Sequence, residues 1–182
     1  EQAIARRAGF TSVRKLLINF GSTDPTGQTL LALKGIEGYA ISRGIEVLVV
    51  IGSGCPFLEQ IKNTLKELSY MVKLYIDTNS MAELIVDCDL GIGAAGASTW
   101  ERCFLGLPTL LVKTAENQAD VINRVISSGA AIGFTGNLSC EYTLTQALNK
   151  LENEFEVVSK ASISFSIGSD LEQFLKYLKA TK

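Results

Sequence analysis

The sequence predicts an α/β fold in which helices cover both faces of a mostly parallel sheet, a Rossmann-like three-layer sandwich. Short apolar runs rich in β-branched residues alternate with amphipathic segments along the chain, as in repeated βα units. The runs are apolar throughout, which is typical of strands buried on both faces. With 182 residues, the chain is long enough for one domain with an apolar core.

The apolar runs place the strands and the amphipathic segments place the helices. The predicted strands are 13–20, 46–51, 72–76, 90–93, 109–112 and 131–134. The predicted helices are 26–42, 56–69, 81–87, 98–105, 118–128, 139–153 and 170–180. Residues 155–169 are serine-rich and weakly patterned, so we interpret them as a crossover segment.

Composition excludes several classes of partner. The 17 Lys and Arg nearly balance the 19 Asp and Glu and are scattered, so neither nucleic acid nor an acidic membrane surface is expected as a partner. No apolar run approaches the roughly 20 residues of a membrane-spanning helix. Four widely spaced cysteines and the absence of histidine predict no metal site and buried, reduced thiols, hence a cytoplasmic protein.

The first residues carry neither an initiator methionine nor a signal peptide. We expect 1–12 to be a linker or the tail of an upstream helix, and 13–182 to be the domain. This start also predicts that the sequence is cut from a longer protein.

Ligands of open parallel sheets bind beyond the carboxyl ends of the strands, and three loops there are candidates. The first contains Gly21, Ser22 and Thr23, whose small side chains permit close backbone approach to an anion. An ordinary turn is the alternative, because Asp24 or Thr26 would cap the next helix in any case.

The second loop carries the stronger signal, since glycines and alanines leave the backbone bare where a helix begins. The amides and the partial positive charge of that helix start suit a phosphate. The loop is not a P-loop, and Gly91, Gly93 and Gly96 match the dinucleotide pattern in letters only. Glu101 could complement the helix dipole or accept hydrogen bonds from two ribose hydroxyls.

The third loop, 113–118, is polar, and Asn117 and Gln118 suit sugar hydroxyls or pyrophosphate oxygens, with helix capping as the alternative for Asn117. Histidine is absent, and although carboxylates such as Asp24 and Glu116 remain candidates for a base, no pair of them is recognisable as an acid/base couple. We therefore expect no catalytic residue in this chain, with the decisive group supplied from elsewhere.

The run Gly-Ala-Ser-Thr-Trp-Glu-Arg-Cys-Phe-Leu-Gly-Leu-Pro at 96–108, followed by Glu-Asn-Gln at 116–118, resembles the carboxy-terminal half of the UDP-sugar hydrolases of pseudaminic acid biosynthesis. These are similar to the nucleotide-binding half of the lipid II-forming N-acetylglucosaminyltransferases, and both have the GT-B architecture of two Rossmann-like domains facing a cleft. The resemblance covers 16–134 and includes the loop 20–25.

The resemblance implies a binding site for a UDP-sugar. Glu101 would hold the ribose and Ile76, preceded by Tyr75, would offer its backbone to uracil. Asn117 and Gln118 would face the sugar or the diphosphate. The residues implied around the diphosphate are Gly21, Ser22, Thr23, Gly96, Ala97, Ser98 and Thr99.

The resemblance further implies a hydrolase in which water displaces UDP from the anomeric carbon of a deoxyaminosugar, without metal or cofactor. A histidine of the missing amino-terminal domain, across the cleft, is the implied catalytic candidate, so the isolated chain should be inactive. The alternatives are the donor-binding half of a GT-B glycosyltransferase and a non-catalytic sugar-nucleotide-binding domain attached to another sialic-acid-type enzyme.

Overall fold

The computed structural model describes residues 2–167, which form a six-stranded sheet covered by helices. The strands are β1 (Lys15–Asn19), β2 (Glu46–Ile51), β3 (Met71–Ile76), β4 (Leu90–Ala94), β5 (Thr109–Val112) and β6 (Ile132–Phe134). The helices are α1 (Gln2–Ala8), α2 (Gln28–Gly35), α3 (Glu37–Arg43), α4 (Leu58–Leu65), α5 (Met81–Asp87), α6 (Ala97–Phe104), α7 (Ala119–Ser127), α8 (Glu141–Asn153) and α9 (Phe155–Ile167). A 3-10 turn, Glu116–Gln118, precedes α7.

All neighbouring strands are parallel, in the order β3-β2-β1-β4-β5-β6. The predicted Rossmann-like α/β fold is therefore confirmed, with each predicted strand present. The order reverses between β1 and β4, and the loops leaving these two strands diverge to opposite sides of the sheet. That divergence opens a crevice at their carboxyl ends, where doubly wound folds bind ligands.

The central strands are buried on both faces, which explains their uninterrupted apolar runs. Leu16, Ile18, Val47 and Val49 belong to one core cluster, under α2, α4 and α8. On the opposite face, Leu17, Leu48 and Val50 pack against α5, and Leu111 packs against α6 and α7. Burial on both faces fixes the strands rigidly, so the loops at the crevice start from well-defined positions.

The interpretation of 155–169 as a crossover is wrong, because most of this segment forms α9. Its serines mask the helical pattern, yet Ser159 and Ser162 are buried, and their hydroxyls donate to the carbonyls of Gly106 (2.8 Å) and Ala130 (2.6 Å). Phe165 stacks on Trp100 with ring centroids 5.5 Å apart, so α9 also supports α6. The predicted helix 170–180 lies outside the described residues.

The predicted single helix 26–42 is divided into α2 and α3 at Ile36. Gly35 lies so close to the carbonyl of Leu138 that a Cβ atom would not fit there. The break lets both short helices approach the start of α8.

The helix α1 docks on the body through its two arginines. Arg7 is buried, and its guanidinium donates to the backbone carbonyls of Ile85 (2.8 Å), Cys88 and Leu105 (3.4 Å). Arg6 pairs with Asp89 at 2.9 Å. The division into a linker at 1–12 and a domain at 13–182 stays a prediction.

Two further features concern residues 2–167 alone. None of the helices there combines the length and the apolar character needed to cross a membrane. Within the same residues, no three Cys, Asp or Glu side chains are grouped closely enough to hold a metal ion.

Candidate functional site

A cavity of about 560 Å³ opens at the carboxyl ends of β1, β2 and β4, at the point where the strand order reverses. Predicted site residues that line it are Gly21, Ser22, Thr23, Gly96, Ala97, Ser98, Glu101 and Gln118. Lining residues that sequence reasoning did not assign to a site are Asn19, Phe20, Pro25, Val50, Ile51, Gly52, Asp77, Thr78, Met81, Ala94, Thr114 and Ala115. All three predicted loops therefore converge on one cavity.

The loop after β1 is held against the end of β2. The amide of Gly52 donates to the carbonyl of Ser22 at 2.8 Å, and a Cβ at Gly52 would come within 2.7 Å of that oxygen. Gly21 has φ +94°, a conformation that favours glycine, and no atom lies within 4 Å of where its Cβ would be. The loop thus presents bare backbone to the cavity.

Asp24 is fully committed to structure. Its buried carboxylate accepts the amides of Gln28 (2.9 Å) and Thr29 (2.7 Å) at the start of α2. The capping alternative is the observed one, and each carboxylate oxygen of Asp24 accepts one backbone amide.

The start of α6 is open to the cavity. No side chain caps this helix, and Gly96 and Ala97 are exposed. A Cβ added at Gly96 would meet no atom within 4 Å, so the space in front of the helix is free. Unpaired amides and the helix dipole together make this a favourable position for an anion.

Glu101 stands one turn further along α6, half-buried at the cavity wall. Burial raises the pKa of its carboxyl, and the nearby Arg102 charge partly opposes that shift. Among the described residues, no ion-pair partner approaches Glu101. A carboxylate held in this way is available to accept hydrogen bonds from a ligand.

Thr99 and the glycines of β4 serve the interior instead of the cavity. Thr99 is buried, its hydroxyl donates to the carbonyl of Ala94 (3.1 Å) and its amide to that of Gly96 (3.0 Å). A Cβ at Gly93 would lie 2.3 Å from the carbonyl oxygen of Asn19. Thr99 therefore lies outside the cavity lining, with both of its donors used internally.

In the third loop Thr114, Ala115 and Gln118 line the cavity, and of the two predicted site residues there only Gln118 does so. Its side-chain oxygen accepts the amide (3.0 Å) and the hydroxyl (3.1 Å) of Thr114. Asn117 is exposed and lies outside the lining, and Glu116 pairs with Lys113 at 2.7 Å. Glu116 is thus engaged at the surface.

At the end of β3, Tyr75 and Ile76 lie outside the lining. Tyr75 packs under the sheet beside Leu48 and Val50, and Ile76 is an exposed residue of the edge strand. Asp77 takes the place at the cavity instead, with φ +50° and its carboxylate accepting the Ser53 amide at 2.9 Å. Side-chain and backbone hydrogen bonds from Ser53 lower the pKa of Asp77. Its position directly after a strand was the available sequence signal.

Comparison with known proteins identifies the family. Residues 25–170 match the glycosyltransferase family 28 C-terminal domain. The spore coat polysaccharide biosynthesis protein SpsG of Bacillus subtilis is 25% identical over 143 residues, which are 78% of this chain and 42% of SpsG. An uncharacterised protein of Methanocaldococcus jannaschii is 32% identical over 109 residues, 59% of this chain and 22% of that protein. The chain thus spans less than half of either relative.

Solved structures share the fold at low identity. MurG of Acinetobacter baumannii superposes with a TM-score of 0.69 at 16% identity, covering 98% of this chain and 53% of MurG. The spinosyn rhamnosyltransferase SpnG gives 0.68 at 19%, covering 95% of this chain and 44% of SpnG. The C-terminal CMP-Kdo binding domain of WaaA from Acinetobacter baumannii gives 0.62 at 12%, covering 90% and 95%. The fold is that of the C-terminal domain of GT-B glycosyltransferases, and the chain belongs to the glycosyltransferase family 28 C-terminal domain family.

Proposed function

We propose that this chain is the donor-binding half of a two-domain GT-B enzyme and that its cavity holds the nucleoside diphosphate part of a nucleotide sugar. The observation that carries the proposal is the uncapped start of α6, with bare Gly96 and Ala97 facing the cavity and Glu101 one turn behind. An anion site and a hydrogen-bond acceptor at this spacing suit a diphosphate and the adjoining ribose.

The diphosphate lies between two stretches of exposed main chain. The loop with Gly21, Ser22 and Thr23 faces it from β1, and the start of α6 faces it from β4. Backbone amides at a helix start bind phosphate without any lysine or arginine side chain in the cavity. The volume of about 560 Å³ suits a ligand of this class, since small-molecule sites commonly measure about 300–1,000 Å³.

The nucleobase lies at the end of β3. There the backbone of Ile76, with Tyr75 before it, would offer hydrogen bonds to the base. Asp77 and Met81 form the neighbouring wall of the cavity. SpnG has been solved with thymidine diphosphate, and the WaaA domain is described as CMP-Kdo binding, so pyrimidine nucleotides are the class to test first.

In the proposed two-domain enzyme this chain stabilises the leaving group, and the facing domain activates the nucleophile. When the bond between the anomeric carbon and the diphosphate oxygen breaks, the departing oxygen takes the electron pair, and oriented amides stabilise its charge. The proton of the attacking hydroxyl needs a base. Asp24 is occupied as a cap and Glu116 in a surface ion pair. Of the two carboxylates on the cavity wall, Asp77 accepts the Ser53 amide and Glu101 is assigned to the ribose, so we assign the base to the facing domain.

A UDP-deoxyaminosugar hydrolase of pseudaminic acid biosynthesis is the second candidate. It is favoured by the motif at 96–108 with Glu-Asn-Gln at 116–118, in which Asn117 and Gln118 would face the sugar. The two candidates share the donor site and differ in the acceptor, a sugar hydroxyl in one and water in the other. UDP release by the full-length protein with water as the only acceptor favours the hydrolase, and release only after adding a sugar acceptor favours the transferase.

Isothermal titration of the chain with UDP, dTDP, CDP and GDP tests the donor site. We expect binding of at least one pyrimidine diphosphate, weakened in Glu101→Gln and unchanged in the matched control Glu116→Gln. Absence of heat with all four at millimolar concentration, from folded protein, would contradict the proposal.

A further inference from the structure

A buried cation, Arg102, contacts two residues of the cavity wall, Ala94 and Ser98, and is itself outside the cavity lining. Its side chain crosses the two glycines of β4: a Cβ at Gly91 would lie 3.6 Å from Arg102 Cδ, and one at Gly93 would lie 2.6 Å from Nη1. With 1% of its surface exposed, Arg102 is among the largest fully buried side chains of residues 2–167. The two glycines therefore form a channel for a guanidinium.

The guanidinium ends directly behind the start of α6. Nη1 donates to the hydroxyl of Ser98 (3.1 Å), and Nη2 donates to the carbonyl of Ala94 (2.7 Å) and the hydroxyl of Thr99 (3.1 Å). All three acceptors are uncharged, and within the described part of the chain no carboxylate forms an ion pair with Arg102. Burial lowers its pKa to about 10, so it keeps its charge at neutral pH.

Burying a charge without an ion-pair partner costs free energy, so we expect Arg102 to have a role that offsets this cost. The Ser98 hydroxyl accepts a hydrogen bond from Arg102, so its own proton is directed elsewhere, and Ser98 lines the cavity. Thr99 differs, because its hydroxyl proton is already donated to Ala94. Of the two hydroxyls that Arg102 contacts, the one that remains able to donate into the cavity is thus that of Ser98.

We infer that Arg102 is a positioning residue for the diphosphate: it turns the Ser98 hydroxyl into a donor toward the phosphate oxygens and places behind them a buried positive charge that has no ion-pair partner among residues 2–167. This inference rests on the proposed function, since it deepens the role of the same cavity. Among the described residues only the Glu101 carboxylate offsets this charge from nearby, and the bound diphosphate adds further negative charge. Arg102 acts through Ser98 and the field at the helix start, without touching the ligand.

The test compares the affinities of UDP and uridine, because only UDP carries the diphosphate. Arg102→Met should lower UDP affinity about 10- to 100-fold, the range for a charged hydrogen bond, and change uridine affinity less than about twofold. Arg102→Lys, which keeps the charge, should recover part of the loss. The matched control is Arg7→Met, which removes a second buried arginine far from the cavity and should leave both affinities unchanged.

Arg102→Met should fold, since the carbonyl of Ala94 keeps the hydroxyl of Thr99 as donor. If it does not fold, a double-mutant cycle with Arg102→Lys and Ser98→Ala decides the matter. Coupling through Ser98 predicts a combined loss of UDP affinity smaller than the product of the two single losses. Independent, multiplicative losses would overturn the inference.

Two further results would overturn it: wild-type UDP affinity in Arg102→Met, or equal losses for UDP and uridine, which would indicate a merely structural role. If the wild-type chain binds neither UDP nor uridine, the proposed function fails first and the inference with it. If the wild type binds UDP and the Arg102 variants bind it with the same affinity, the proposed function stands and the inference alone is wrong.

Discussion

The amino ends of the parallel strands form one edge of the sheet, the amino edge, and their carboxyl ends form the other, the carboxyl edge. Polar groups at these two edges differ in whether they have partners within the chain. At the amino edge, the carboxylate of Asp89 accepts the amides of Arg14 (2.8 Å) and Lys15 (2.9 Å) and also pairs with Arg6. Arg7 is buried there with its guanidinium on three backbone carbonyls. Each of these groups finds its partner within the chain, and this edge is built for stability.

At the carboxyl edge, polar groups are left for something else to satisfy. The start of α6 has no side-chain cap, Glu101 faces the cavity, and the buried charge of Arg102 has only neutral acceptors. Arg7 and Arg102 are similarly buried and have similarly lowered pKa values of about 10. The difference is that Arg7 ties a helix to the body, whereas Arg102 stands behind an open anion site.

The largest expected effect follows from Gly93→Ala, which places a methyl group in the space over β4 that the Arg102 side chain occupies. The new Cβ would lie 2.3 Å from the backbone oxygen of Asn19 and 2.6 Å from Arg102 Nη1, and the backbone cannot move aside cheaply. We expect a loss of about 3 kcal/mol in the free energy of unfolding by urea denaturation. Gly96→Ala is the control, since its Cβ meets nothing within 4 Å; equal stability of the two variants would contradict the packing described for β4.

Glu101→Ala tests whether the carboxyl edge contributes to ligand binding and not to the stability of the fold. Loss of charged hydrogen bonds to ribose should weaken UDP binding by on the order of 1.5 to 3 kcal/mol, with little change in Tm. The control Glu116→Ala removes an exposed carboxylate outside the cavity and should leave the affinity unchanged. A fall in Tm with unchanged affinity would mean that Glu101 serves only the end of its helix.

Arg7→Met tests whether the amino edge contributes to the stability of the fold and not to ligand binding. Three carbonyls lose a donor, but α1 is a helix of only seven residues that can shift away and let water reach them, which limits the cost to about 1 to 2 kcal/mol in the free energy of unfolding. UDP affinity should stay at the wild-type value. If the UDP affinity fell as well, the amino edge would also contribute to binding, which would contradict the division of roles between the two edges.

The smallest expected effect is a pH-dependent contribution of the Glu101 carboxyl to the stability of the fold. Burial raises the pKa of this carboxyl, so the folded chain holds the proton more tightly than the unfolded chain does. The ionised form therefore opposes folding at neutral pH, and this cost vanishes below the ordinary glutamate pKa, where both states are protonated. Glu101→Gln should raise Tm at pH 7 by no more than a few degrees and not at acidic pH; the reverse order would contradict the raised pKa.

The sequence was sufficient for the parallel sheet because burial on both faces leaves an apolar signature in each strand. It was also sufficient for the position of Glu101, which follows from a bare loop running into a helix. It failed at α9, since Ser159 and Ser162 look like surface residues until their carbonyl partners are known.

Arg102 was missed for a related reason. An arginine in an amphipathic helix suggests a solvated face, and only the tertiary contact with Gly91 and Gly93 shows that it is buried. Asp77 was passed over in favour of Tyr75 and Ile76, whose side chains the sheet directs away from the cavity. In both cases the decisive information is which neighbour lies across the sheet, and one-dimensional spacing does not contain it.

A crystal structure of the chain with UDP tests the central claim most directly. The account predicts phosphate oxygens within hydrogen-bonding distance of the amides at Gly96 and Ala97, with both ribose hydroxyls on the carboxylate of Glu101. UDP bound elsewhere, or a cavity that stays empty at saturating UDP, would contradict it.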